Sequence, residues 1–203
     1  MPEQRLQDLL NQSAALHAHL CPKQVLGVRM GMYAAEILGL PLPQSDKRLL
    51  TIVETDGCFS DGIAVSTGCW LGHRTLRCVD YGKVAATFLD TLSGVAVRLH
   101  PSTASRSRAA HYAPTAPSRW HAYLEGYQVM PAEELLVAAR VVPTFVVEHH
   151  VSSPDCKAVC EICDEEIING RETLSQGRVI CRGCAGQAYY TCSPLSESCQ
   201  IGK

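Results

Sequence analysis

Two Cys-x-x-Cys pairs, Cys160 with Cys163 and Cys181 with Cys184, stand seventeen residues apart near the end of the chain. This spacing constrains the fold more than any other feature of the sequence. Two sulfurs three positions apart in a tight knuckle turn toward one ion, and a second knuckle completes a tetrahedron. The pattern predicts a structural zinc site with four thiolate ligands and no open coordination position. A segment of this length buries little apolar surface, so the metal must supply much of its folding energy. Between the knuckles, Ile167–Ile168, Asn169–Gly170 and Val179–Ile180 read as a short hairpin.

The remaining cysteines divide the chain. Cys21, Cys58, Cys69 and Cys78 are scattered through the first half, whereas Cys156, Cys192 and Cys199 crowd around the zinc pattern. This asymmetry, with Ser152, Ser153 and Pro154 between, predicts a core domain over 1–150, a linker over 151–157 and a four-cysteine zinc module over 158–203. The start of the chain is polar and carries neither an apolar stretch nor a cleavage site of the secretory kind, so metal or redox roles are expected rather than disulfides. No apolar run reaches the ~20 residues a membrane span needs. The expected location is cytoplasmic, with no membrane partner.

Zinc modules often bind nucleic acid, but the charge here has the wrong sign. Residues 155–203 hold five Lys or Arg and seven Asp or Glu, a net of 5 − 7 = −2, and the whole chain is also at −2. A phosphate-reading surface is basic, so a protein partner or self-association is the better expectation for the module.

The core reads as α+β. Leu6, Leu9, Leu10, Ala14 and Leu16 trace a helical stripe over 3–20. Pro22 breaks that helix and suits the first turn of the next, over 22–39. In that second helix Gly27 and Gly31 share a face and admit another backbone. A strand at 49–54, a short helix over 59–72, and strands at 76–81, 84–90 and 95–99, read as antiparallel, come next. Residues 100–119 have little periodicity and carry arginines without an acid from Arg98 to Arg119. They read either as a solvated linker or as a lid or anion-binding loop. Pro131 with Glu133 and Glu134 predicts a helix over 131–142, and 144–148 a further strand. The expected fold class is α+β, an antiparallel or mixed sheet packed with helices, plus the zinc module.

The chemistry-bearing residues of the core fall in two stretches. In His17-Ala18-His19-Leu20-Cys21-Pro22, a thiol at the helix N-cap meets free amides and the helix dipole, which favour thiolate, with two imidazoles just before it. In Glu54-Thr55-Asp56-Gly57-Cys58-Phe59-Ser60-Asp61, a strand ends in acids and a cysteine and turns into a helix, so Cys58 and Asp61 face one way. His17, His19, Cys21, Cys58 and Asp61 are thus candidate ligands for a second transition metal. A pair of hydrogen-bonded histidines beside a buried thiol is the plainer alternative, and small buried hydrophobes the plainer reading of Cys69 and Cys78.

His-x-His-x-Cys-Pro with its Gly-x-x-x-Gly helix, Glu-Thr-Asp-x-Cys-x-x-Asp, Thr-Gly-Cys (67–69) and Asp-Tyr-Gly-Lys (80–83) together resemble the FmdE family, named for a subunit of formylmethanofuran dehydrogenase. The resemblance covers almost the whole chain. It implies a homodimeric α+β core with a Cys/His-lined groove at His17, His19, Cys21, Cys58 and Asp61, with Cys69 nearby, and many members add a C-terminal treble-clef zinc module. Lys23, Ala64 and His73 depart from the residues usual in that family. The implied function is metal binding accessory to a molybdenum or tungsten enzyme of the formylmethanofuran dehydrogenase type. Two rivals remain open: an enzyme using Cys21 as a nucleophilic or redox thiol activated by His19, and an interaction protein that docks a partner through its zinc module.

Overall fold

Pro22 and its surroundings set the first structural break. In the computed structural model, which describes residues 2–145 and 155–191, α1 spans Pro2–His17 and α2 spans Pro22–Leu38, with Pro22 in the first turn of α2. Ala18 takes a left-handed φ of 59° to turn the chain between them. Gln24, fully buried, fastens the junction: its amide donates to the carbonyl and hydroxyl of Ser13 in α1, and its Oε1 accepts from the Cys21 amide at 2.8 Å.

The chain forms two compact units, Met1–Thr144 and Phe145–Lys203. In the first, β1 (Leu49–Val53), α3 (Cys58–Thr67), β2 (Leu76–Cys78), β3 (Ala86–Asp90) and β4 (Ala96–Pro101) are followed by α4 (Ser105–Tyr112), α5 (Arg119–Val129), α6 (Ala132–Leu135) and β5 (Leu136–Val141). The five strands make one mixed sheet in the order β2-β1-β3-β4-β5. Leu10, Val25, Met30, Phe59, Ile63, Phe88 and Leu99 fill the core among α1, α2, α3 and the sheet.

Four local expectations are corrected. The strand at 76–81 ends at Cys78 and pairs with β1 in parallel, since α3 forms the crossover between them. The helix over 59–72 runs instead from Cys58 to Thr67. The helix over 131–142 stops after α6, and from Leu136 the chain pairs antiparallel with β4; a full sheet ladder outweighs the local helical signal. Residues 100–119 are neither linker nor loop throughout, for they include the end of β4 and the whole of α4. The expected strand at 144–148 lies largely outside the described residues, as do Cys192 and Cys199.

In the second unit the expected single hairpin is replaced by two. β6 (Lys157–Val159) pairs antiparallel with β7 (Glu166–Ile168), and β8 (Thr173–Ser175) with β9 (Arg178–Ile180). Each hairpin carries a knuckle at one end, and a short helical turn over Gly183–Gln187 comes after the second. Among the described residues of this unit the buried apolar ones are few: Cys160, Ile167 and Ile180. Among the described residues no helix is long and apolar enough to cross a membrane.

Candidate functional site

The sulfurs of Cys160, Cys163, Cys181 and Cys184 all lie within 4.8 Å of one another. A tetrahedron of thiolates about 2.3 Å from zinc has edges of about 3.8 Å, so the four are already spaced close to what one ion requires. Backbone geometry holds them there. The Cys181 amide donates to the Cys160 sulfur at 3.2 Å, and the Cys184 amide to the Cys181 sulfur at 3.3 Å. Glu161 joins the knuckles: its amide donates to the Val179 carbonyl, and its carboxylate accepts from the Val179 amide at 2.7 Å.

The donor set itself calls for a cation. Burial pushes the Cys160 thiol up, but amides of Cys163, Cys181 and Ile162 outweigh it and bring its pKa down to about 6. Burial and the neighbouring sulfurs push Cys184 strongly upward. Four thiols this close cannot all ionise unless positive charge sits between them. This group can hold a metal ion.

In the first unit three helix ends meet. His17, the last residue of α1, pairs through Nε2 with Oδ2 of Asp61 in the first turn of α3. Cys21 is the N-cap of α2, and Cys58 opens α3. Cys21 is a near neighbour of Cys58. Burial, then the Cys21 thiol, and the Asp61 carboxylate push the Cys58 thiol up. A helix N-terminus favours thiolate, but at Cys58 these opposing effects win.

His19 does not join the group through its ring. It is exposed, its Nδ1 lies 2.9 Å from the His17 carbonyl, and its ring meets that of His17 edge-on at 6.1 Å. Cys69 stands apart as a buried thiol, accepting from the Thr51 hydroxyl and donating to the Leu49 carbonyl, both at 3.4 Å. Four of the five candidates therefore gather at these helix ends, with His17 and Asp61 in direct contact. Among the described residues, however, only the Cys160 group brings three or more ligand atoms within 4.8 Å.

A cavity of about 910 Å³ opens beside Cys21. Its walls come from the start of α2, residues 82–85, the end of β4, the start of α4 and one face of α5. Of its lining only Cys21 was a candidate ligand in the sequence, although Arg98 and Arg106 belong to the acid-free arginine stretch. Trp120, Tyr123 and Tyr127 carried a readable signal, since positions i, i+3 and i+7 share a helix face, and Ser118 caps that helix by accepting from the His121 amide.

Residues 16–137 match a family model described as FmdE, molybdenum formylmethanofuran dehydrogenase operon. Over 102 residues, 49% of this chain, the sequence is 37% identical to a probable S-adenosyl-L-methionine-binding protein of Archaeoglobus fulgidus. The match spans only 28% of that relative's length. The structure is also similar to the crystal structure of a tungsten formylmethanofuran dehydrogenase FmdE-like protein from Syntrophus aciditrophicus. The TM-score is 0.58 at 17% identity, with 92% of this chain and 95% of that chain covered. At that identity the likeness is one of fold.

Proposed function

The chain belongs to the FmdE family, and from that premise we propose that it is a metal-binding protein with two sites. Cys160, Cys163, Cys181 and Cys184 hold a structural zinc, because a closed tetrathiolate set with amide donors to its sulfurs suits zinc and leaves no position for a substrate. Cys21, Cys58, His17 and Asp61 take a second transition metal, with small side-chain adjustments bringing the two pairs onto one ion. The protein acts as a homodimer in the cytoplasm, where thiols stay reduced, and serves a molybdenum or tungsten enzyme of the formylmethanofuran dehydrogenase type. The zinc unit supplies a surface for a protein partner.

One observation carries the core site. Two neighbouring thiols stand at the heads of different helices, and an imidazole paired with a carboxylate lies at the same group of helix ends. The rival in which His19 activates Cys21 has less support, since the ring of His19 bonds to a backbone carbonyl and not to the thiol.

Metal analysis of the purified chain by plasma mass spectrometry tests the proposal. Wild type is expected to carry roughly two ions per chain, and Cys21→Ser and Cys181→Ser roughly one each, lost from different sites. A single ion in wild type that survives Cys21→Ser and disappears with Cys181→Ser would overturn the core site.

A further inference from the structure

Beyond metal binding, we infer that the cavity beside Cys21 binds a small organic anion carrying a flat unsaturated ring. The charges come first. Lys23, Lys83, Arg98 and Arg106 all line the cavity, and no carboxylate does. Arg98 is already neutralised, its guanidinium donating twice to Glu54 at 2.6 and 2.7 Å. Among the described residues, no carboxylate lies within ion-pair distance of Lys23, Lys83 or Arg106. Glu54 also feels the charge of Lys83, but one carboxylate against four cations leaves an excess of positive charge around a largely apolar concavity, which favours an anion. The start of α4 forms part of the same wall, so the helix dipole adds in the same sense.

Part of the cavity wall is aromatic. Trp120, Tyr123 and Tyr127 lie along one face of α5 and all line it. The two tyrosine rings are stacked at 5.7 Å with planes 5° apart, and Trp120 remains 45% exposed. A stacked tyrosine pair, with a part-exposed indole on the same helix face, offers a flat ligand a stacking surface. The volume suits a ligand of metabolite size rather than a simple ion, since small-molecule sites run from ~300 to ~1,000 Å³. An oxyanion toward Lys83 and Arg106, with a ring laid on the α5 face, uses both the cations and the aromatic surface.

Fluorescence titration of the full chain with two matched probes tests the inference. One is 1-anilinonaphthalene-8-sulfonate, a flat aromatic anion; the other is N-phenyl-1-naphthylamine, its uncharged counterpart. The anion is expected to saturate a single site, to bind about tenfold tighter than the neutral probe and to weaken as salt rises. Lys83→Glu and Arg106→Glu should each weaken the anion about tenfold while leaving the neutral probe unchanged. Trp120→Ala should weaken both, and Arg140→Glu, on an exposed position of β5, neither. All four side chains are exposed, so the thermal midpoints of these variants should match wild type. Equal affinity for the two probes, or anion binding indifferent to both charge reversals, overturns the inference. Cys58→Ser separates this site from the proposed metal, because Cys58 does not line the cavity and its loss should leave anion binding intact.

Discussion

Gly27 of α2 and Gly62 of α3 meet face to face: a Cβ built on Gly27 would lie 3.0 Å from the Gly62 Cα, and one on Gly62 3.1 Å from the Gly27 Cα. Worse contacts would arise at 2.3 Å to the Phe59 carbonyl and 2.4 Å to the Gln24 carbonyl. The helices touch backbone to backbone, and this brings Cys21, at the head of α2, beside Cys58, at the head of α3.

A methyl group at that crossing has nowhere to go. Gly27→Ala or Gly62→Ala should cost about 3 kcal/mol by forcing the helices apart. Gly72→Ala, where an added Cβ meets nothing within 4 Å, should stay within about 0.5 kcal/mol of wild type. Urea unfolding of the three variants checks both expectations.

Arg29 governs the far end of α5. Its guanidinium donates to the carbonyls of Tyr127 and Gln128 at 2.8 Å and of Met130 at 2.7 Å, groups that the helix end leaves without partners. Lysine cannot fork to three acceptors in this way. Arg29→Lys should destabilise the protein by roughly 2 kcal/mol. It should also raise hydrogen exchange at the C-terminal turn of α5, read by mass spectrometry.

Two carboxylates make the first unit sensitive to acid. Arg48, with the Ser93 hydroxyl and the Leu92 amide, holds the Asp90 carboxyl well below the usual carboxylate range, and Arg98 lowers Glu54. Both groups bind a proton less readily folded than unfolded. The stability they contribute is thus complete above the unfolded pKa of about 4 and drains away as pH falls through it toward the folded values. Unfolding free energy measured from pH 7 down to pH 3 should fall, and Asp90→Asn should flatten that fall while lowering stability at pH 7.

Metal removal should unfold the second unit, whereas the first loses its ion but keeps its large apolar core. A structural ion in such a module contributes on the order of 10 kcal/mol, more than the three buried apolar residues among those described supply. Treatment with 1,10-phenanthroline should open the region between Lys157 and Gln187 to trypsin while the first unit stays resistant. Limited proteolysis read by intact mass tracks this directly.

What was legible in the sequence divides along physical lines. α1, α2 and the four-cysteine group were readable because long apolar stripes and fixed ligand spacing are properties of the chain itself. The close approach at Gly27 could likewise be read from the Gly27–Gly31 spacing. The parallel pairing of β2 could not, since three residues carry no record of the direction of their neighbour. β5 was hidden because Glu133 and Glu134 after Pro131 are a genuine helix start, and only the presence of β4 draws Leu136–Val141 into a strand. At the site, Cys21, Cys58, His17 and Asp61 could be named from their local motifs. That His17 would choose Asp61, and His19 a backbone carbonyl, depends on how α1 and α3 cross and is set by packing.

The sparse core of the second unit has a consequence for the lifetime of the protein. With Cys160, Ile167 and Ile180 as the buried apolar residues among those described, this unit would persist only as long as a bound ion did. A cell short of the ion would hold chains whose tail is an open target for degradation while the body remains sound. Turnover of the full-length protein would then track metal supply, with no separate sensor required.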